Sequence, residues 1–518
     1  MKRRSFIKSS SAIGVPLLIN GIPVNAISRS SFLNLVSPEN DKILVLIQLT
    51  GGNDGLNTVL PLDQYSALDK ARNKILIKEN LALKLRDNLG LHPVMTGMKA
   101  LYDEGKISLI QSVGYPNQNR SHFRSTDIWT SGSAVDVFET TGWLGRYYYP
   151  NHTTYPNGYP NNDNPDPLAI TIGSLVSQTC QGPITNFSLA VNDPANLIKI
   201  PQGELATSVP NTNYGIELKY LQTMLLQNND YSDIMTNAYT AAGGTITSSG
   251  NPLQDKLNIV SQLIKGGLRT KVYVVDIGTF DTHANQCDPT DHEIGNHATL
   301  LQRVSDAVKA FQTELEKSGN DKRVIGMTFS EFGRRILAND STGTDHGTAA
   351  PMFMFGTCIK GGILGNNPTI NDTVANDEGV AMQYDFRSVY ASVLMDWFGL
   401  SAAEVKSTLF SDFQKLPVIE GCAPTNTDDY SRDFGLALDV ISNPVMHTLK
   451  INYHTGDEKI RLSVFDSMGS EIKILVNGRS RAGEHNLSWE MGGVPSGNYF
   501  VRIASLYAQK TEHFSKID

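Results

Sequence analysis

Lys42-Ile43-Leu44-Val45-Leu46-Ile47-Gln48-Leu49-Thr50-Gly51-Gly52-Asn53-Asp54-Gly55 decides the fold. Its first eight residues form a near-continuous apolar run, as in a strand covered on both faces. The run then enters a glycine-rich turn that carries a carboxylate. Outward from it, a helical stretch at His92–Glu104 feeds a strand at Ile107–Val113. Further on come a helix at Pro252–Lys265, a strand at Lys271–Val275 and a helix at Ala298–Lys317. A strand at Arg323–Phe329 and an apolar run at Pro351–Phe355 follow. Strands alternating with helices predict an α/β fold, a doubly wound and mostly parallel sheet with helices on both faces. Ligands of such sheets bind at the carboxyl edge of the strands.

Polar clusters stand at those ends. The second strand leads into Asn119-Arg120-Ser121-His122-Phe123, and the third into Phe280-Asp281-Thr282-His283. The fourth leads into Ser330-Glu331-Phe332-Gly333-Arg334, and Gly343-Thr344-Asp345-His346-Gly347 precedes the last apolar run. Carboxylates and imidazoles gathered at strand mouths suit zinc or a harder divalent ion. Each cluster has a plainer explanation when taken alone. Asp54 could be a turn residue, Glu331 a partner of Arg334 or Arg335, and Ser121 a helix cap. Five clusters at successive strand ends argue for a site. The Asn157–Asp166 stretch, with four Asn and two Asp, reads as a solvated loop rather than a calcium site.

The 518-residue chain carries 44 basic and 52 acidic side chains, a net charge of −8. That balance disfavours nucleic acid as a partner, because a binder needs a basic field. No apolar run reaches the roughly 18 to 20 residues needed to span a bilayer. Four widely spaced cysteines exclude a zinc knuckle or a disulfide-dense scaffold and leave room for one disulfide whose pairing the sequence does not give.

The ends differ in character from the middle. Residues 1–26 lack acidic side chains, open with Lys2-Arg3-Arg4-Ser5-Phe6-Ile7-Lys8, and close on Val24-Asn25-Ala26. They resemble a twin-arginine export signal, whose removal leaves a net charge of −12. A spacer (27–40), the α/β body (41–415) and a linker (416–440) follow. From 441 to 518 short alternating segments with Gly and Asn turns predict a small antiparallel β-sandwich. Its Asn443-Pro444, Asp466-Ser467-Met468-Gly469 and Gly497-Asn498-Tyr499 resemble the type IX secretion sorting domain. The two resemblances imply passage by the twin-arginine translocase, a periplasmic stage, and delivery by the type IX machinery to the cell surface or medium.

The body is identified as a member of the bacterial domain-of-unknown-function family 1501, similar to the alkaline phosphatase and sulfatase superfamily. The motifs are Leu49–Asn57, Asn119–Phe123, Phe280–Gln286, Ser330–Arg335, Gly343–Ala349 and Asp385–Tyr390. The resemblance implies a divalent-metal site, zinc as one or two ions, with calcium or magnesium as alternatives. It matches Asp54, Asp281, His283, Glu331, Asp345 and His346 to metal ligands. It matches Ser121 to the nucleophile and Arg120 to the anion clamp, with His122 as an alternative base or ligand. Where alkaline phosphatases have an Asp-His pair this chain has Glu331-Phe332, and Ser121-His122-Phe123-Arg124-Ser125 lacks the sulfatase proline and arginine spacing. The expected function is an exported metal-dependent hydrolase of phosphate or sulfate esters; the alternative is a surface binding protein that keeps the fold without turnover.

Overall fold

The structure is a computed structural model, and it describes residues 18–19, 22–23, 41–197, 212–245, 248–422, 437–441, 443–455, 458–466, 471–481, 483–505 and 509–517. The twin-arginine motif, the Thr425–Arg432 linker and residues 467–469 of the sorting-domain turn lie outside them. The chain divides into two compact units, Glu39–Gly421 and Cys422–Asp518.

The first unit is built on one mixed sheet. Its strands are β1 (Ile43–Thr50), β2 (Ile107–Gly114), β3 (Ala169–Ile172), β4 (Ser188–Val191), β5 (Val272–Gly278), β6 (Val324–Phe329), β7 (Ala350–Phe355), β8 (Gly362–Leu364) and β9 (Tyr384–Asp385). Their spatial order is β8-β2-β7-β6-β1-β5-β3-β4, with β9 beside β2. All pairings are parallel except the two made by β7, which is antiparallel to β6 and to β2. The sheet is therefore mostly parallel, as the alternation predicted, with one reversed strand inside it.

The β1 sequence explains its central place. Ile43, Val45, Ile47 and Leu49 enter one core, whereas Leu44 and Leu46, equally buried, point to the opposite face. Alternate side chains of a strand face opposite sides, so a strand covered twice must be apolar at both parities. Truncating Leu46 to Ala would cost roughly 2–5 kcal/mol.

The helices that follow include α1 (Tyr65–Arg72), α2 (Thr96–Asp103), α3 (His122–Ser131), α4 (Trp143–Tyr148), α5 (Asn213–Ala241), α6 (Pro252–Lys265), α7 (Asn296–Lys317) and α8 (Phe386–Ser392). Met98 and Leu101 of α2, Leu257 and Leu263 of α6, and Leu301 and Val308 of α7 join the core with Ile43 and Val45. On the other face Trp129 of α3 stacks on Phe329 and Phe386, and Trp397 donates to the Ile43 carbonyl. Asn251 caps α6 by accepting from Leu253 and Gln254, ahead of Pro252 at the first helical position. Among the described residues no helix is long and apolar enough to cross a membrane.

The second unit contains β10 (Ala437–Val440), β11 (Thr448–Thr455), β12 (Glu458–Asp466), β13 (Glu471–Ser480), β14 (Gly483–Glu490), β15 (Gly497–Ser505) and β16 (Gln509–Lys516). They form antiparallel sheets ordered β10-β11-β14 and β13-β12-β15-β16. Leu449, Ile451, Leu462, Val464, Val501 and Ile503 fill one shared core between the sheets. Cys180 and Cys287 of the first unit are free and buried.

Candidate metal centre

Three neighbouring parallel strands deliver their loops to one place. β5, β1 and β6 run in register, with Gly278 opposite Thr50 and Phe329 opposite Gln48. The Phe280 amide donates to the Thr50 carbonyl at 2.9 Å, and the Gly51 amide to Glu331 Oε1 at 2.7 Å. The 343–348 loop is stitched on by Thr344 N to Thr282 O at 3.1 Å and Arg335 N to Asp345 O at 3.0 Å. Gly51 has a φ of +120°, and a Cβ there would collide with the Asp281 amide. A side chain at Gly343 would likewise strike the His283 carbonyl. The glycines thus allow loops carrying Asp281, His283, Asp345 and His346 to meet.

Arg334 binds these loops together. Its side chain is fully buried, and it donates to the carbonyls of Gly52 (2.7 Å), Thr344 (2.9 Å), Phe280 (3.1 Å) and Gly51. Its remaining bond goes to Asp281 Oδ1 at 2.7 Å. Burial alone would raise the Asp281 pKa, but the Arg334 hydrogen bond and charge, with the nearby His283 and His122, hold it below the ordinary value. The sequence offered Arg334 as a partner for Glu331; the structure gives it to Asp281 instead.

Around Asp281 three imidazoles converge. His283 Nε2 is 3.2 Å and His346 Nε2 3.5 Å from Oδ1, and His122 Nε2 is 3.5 Å from Oδ2. His122, Asp281 and His346 form a group able to share one ion. The opposite nitrogen of each ring is committed. His122 Nδ1 lies 2.9 Å from Glu331 Oε1, His283 Nδ1 3.1 Å from Asp345 Oδ1, and His346 Nδ1 2.7 Å from the Arg120 carbonyl. A carbonyl or carboxylate oxygen can only accept, so each Nδ1 carries a proton, and in the neutral ring each Nε2 presents a lone pair. Burial lowers the His346 pKa, favouring the neutral ring despite the opposing Arg120 carbonyl. The Asp345 carboxyl, which burial would raise, is held low by hydrogen bonds from His283 and Asn339 and by Arg335.

That donor set fits a divalent ion. Three lone pairs and a carboxylate face one another, and His122 Nε2 is buried without a hydrogen-bond partner. Imidazoles whose far nitrogen donates to a carboxylate or carbonyl are the usual form of metal-bound histidine. Phe332 packs on His122 and His346, with ring centroids 4.9 and 4.5 Å away, and shields one side.

The remaining sequence candidates take distinct places. Asp54 does not join the cluster. It is fully buried, both oxygens lie 3.0 Å from Arg72 Nη1, and Gln286 Nε2 donates at 2.6 Å. Burial would raise its pKa, and Arg72 with His297 outweighs that and lowers it. Asp54 is thus an internal ion pair with Arg72, apart from the three imidazoles among which the sequence expected it as a ligand. Glu331 and Asp345 hold imidazoles by Nδ1 and stand one step back from the cluster. Ser121 sits at the N-cap position of α3 without a side-chain cap bond and is exposed. Arg120 contributes its carbonyl to His346, while its half-buried guanidinium has no partner among the described residues.

Residues 41–408 match the family described as protein of unknown function (DUF1501). The chain belongs to the DUF1501 family. In addition to this DUF1501 body, residues 440–516 match the secretion system C-terminal sorting domain, which marks a secreted or cell-surface protein exported by the type IX route. No curated protein matches the chain. Among solved structures, PorZ of Porphyromonas gingivalis, a surface component of the type IX secretion system, is 17% identical over 20% of this chain, with a TM-score of 0.13. The matched part is 14% of PorZ, so the chain spans about a seventh of that protein. An alkaline phosphatase superfamily protein from Vibrio parahaemolyticus is 9% identical, covering 85% of this chain and 84% of its own, with a TM-score of 0.34. The lipoteichoic acid synthase LtaP from Listeria monocytogenes is 8% identical over 73% and 78%, with a TM-score of 0.31.

Proposed function

We propose that the protein is an exported metal-dependent hydrolase of phosphate or sulfate esters. One observation carries this reading: three histidines, each fixed by an acceptor at Nδ1, turn their Nε2 lone pairs toward Asp281. His122, His283, His346 and Asp281 would hold a divalent ion, zinc by the preference of imidazole ligands. When bound, the ion would supply Lewis-acid polarisation of a phosphoryl or sulfuryl oxygen.

The chain's own groups supply the rest. Glu331, Asp345 and the Arg120 carbonyl fix the three rings, and Arg334 fixes Asp281. The free Arg120 guanidinium would hold two oxygens of a tetrahedral anion. The Ser121 hydroxyl, exposed at the first turn of α3, would attack phosphorus or sulfur as its proton passes to solvent. The ester oxygen would leave with the bonding pair and take a proton from water, and a second water would then form a bond to phosphorus or sulfur, break the bond to serine and return a proton to the serine oxygen. The twin-arginine signal would take the folded chain, with its ion already loaded, to the periplasm ahead of the type IX step.

The test is metal analysis of the purified mature chain followed by a panel of phosphate and sulfate esters. Wild type should bind metal stoichiometrically and turn over at least one ester class, and His346→Ala should lose both. A protein that takes up no zinc, calcium or magnesium, or that binds metal and hydrolyses no ester, would refute the proposal.

A further inference from the structure

One face of α3 grips Glu331 at both ends. His122, Ser125 and Trp129 follow one another at the three- and four-residue spacing that lines up a helix face. The His122 ring meets the Glu331 carboxylate. The Ser125 hydroxyl and Trp129 Nε1, the latter at 2.9 Å, donate to the Glu331 backbone carbonyl, with Gln118 Nε2 a longer contact at 3.5 Å. From there a chain of hydroxyls runs on. Ser125 Oγ lies 2.9 Å from the Tyr115 hydroxyl, and that hydroxyl lies 3.1 Å from the Asn119 amide. Its direction is fixed. A carbonyl can only accept, so the single Ser125 proton goes to Glu331; Ser125 then accepts from Tyr115, and Tyr115 accepts from the Asn119 amide. The Asn119 carbonyl, at 3.3 Å, is the poorer acceptor for the Tyr115 proton. Burial raises the Tyr115 pKa, so the phenol keeps that proton. Both Tyr115 and Ser125 are buried, where hydrogen bonds meet little competition from water.

We infer that Tyr115 and Ser125 are positioning residues of the metal centre: their hydroxyls lock the turn that carries Arg120, Ser121 and His122 to the strand end that carries Glu331, and so set where His122 presents Nε2. The inference rests on the reading of the cluster as a metal site. Asn119 opens that turn, and its Oδ1 accepts from the Ser121 amide at 2.8 Å. His346 holds the same turn through the Arg120 carbonyl at 2.7 Å. With the chain of hydroxyls intact, His122 and His346 meet Asp281 as a preset pair. Without the Tyr115 hydroxyl the Asn119 amide loses its acceptor and Ser125 its donor, and the turn is no longer tied to Glu331 through them.

The test compares Tyr115→Phe with Tyr148→Phe. Tyr148 is also buried, and its hydroxyl donates to the Leu168 carbonyl at 2.7 Å, with no bond to a residue of the cluster. Both variants should lose some thermal stability, because each strands a buried polar group. Only Tyr115→Phe should weaken zinc affinity in chelator competition, about three- to tenfold, less than the 10- to 100-fold expected of a group bonded directly to a ligand. The visible absorption of cobalt(II) loaded in place of zinc reads ligand geometry, and it should shift in Tyr115→Phe alone. Ser125→Ala should act like Tyr115→Phe, and the double variant should cost less than the sum of the two, since both break one chain. A wild-type value of either metal readout in Tyr115→Phe, or an equal change in Tyr148→Phe, would overturn the inference and leave the metal site standing. If Tyr115→Phe does not fold, Ser125→Ala carries the test; failure of both to fold would make these hydroxyls determinants of the fold and overturn it as well. A wild-type chain that binds neither zinc nor cobalt would overturn the site reading and the inference with it.

Discussion

His283 Nε2 and His346 Nε2 face each other at 2.8 Å while Asp345 and the Arg120 carbonyl claim the opposite nitrogens, so in the neutral rings both Nε2 atoms present lone pairs. Two lone pairs in contact repel, and a cation between them and Asp281 removes the conflict. Replacing His346 or Asp281 by Ala should therefore abolish metal retention after dialysis. Glu331→Gln and Asp345→Asn should weaken metal affinity about 10- to 100-fold in chelator competition, since they act through the imidazoles they orient. Full affinity in both amide variants would show that the rings need no such support.

Asp54→Ala should behave in the opposite way. Its carboxylate is the buried partner of Arg72, whose Nε and Nη2 bind the Ile336 and Arg335 carbonyls at 2.8 and 2.7 Å. Removing one member of a buried pair strands the other charge, at a cost of about 3–5 kcal/mol. Denaturant unfolding should show that loss, and metal stoichiometry in the folded fraction should stay at the wild-type value. Loss of metal without loss of stability would return Asp54 to the ligand set.

The contrast between Asp54 and Asp281 shows where sequence reading reaches its limit. β1 and the Gly51-Gly52 turn were legible because an apolar run at both parities has few other uses. The strand-end clusters were legible for the same topological reason. Nothing local separates Asp54 from Asp281: both follow strands, and their partners, Arg72 and Arg334, lie 18 and 53 residues away in sequence. His122 was legible only as one of two alternatives, a base or a ligand. Sequence places it beside Ser121, whereas only the fold turns its ring toward Asp281. The reversed direction of β7 and the four-residue strands β3 and β4 left no periodic signature long enough to read.

Acid should destabilise the fold through His92 and His297, which stand behind the site. Burial, the largest cause, lowers their pKa values from 6.5 to about 3 and about 4 respectively. In the unfolded chain both rings take up protons below about pH 6.5, whereas in the folded chain they stay neutral until pH 4 or lower. Between those limits the unfolded state binds more protons, so stability falls as pH falls. Each ring contributes at most on the order of 3 kcal/mol to that decline. Melting temperature against pH should drop between pH 6.5 and 4 in wild type and drop less in His92→Gln. Parallel curves for the two proteins would place the acid sensitivity elsewhere.

Ser121 and Arg120 separate attack from anion binding. Ser121 has an exposed hydroxyl with no hydrogen bond among the described residues, and its amide is tied to Asn119 Oδ1 at 2.8 Å, so replacing the side chain leaves the backbone turn intact. Ser121→Ala should keep fold and metal and lose turnover by orders of magnitude on any ester the wild type hydrolyses. The Arg120 guanidinium has no hydrogen-bond or ion-pair partner among the described residues, and the bond to His346 is made by the backbone carbonyl, which an alanine keeps. Arg120→Ala should therefore raise KM more than it lowers kcat, and Arg120→Lys should recover only part of the loss because an ammonium cannot form the two-pronged bond. If Ser121→Ala retains full turnover, water is the attacking group and the serine is a helix-start residue. If Arg120→Ala changes kcat alone, the guanidinium acts on the transition state and does not secure the bound ester.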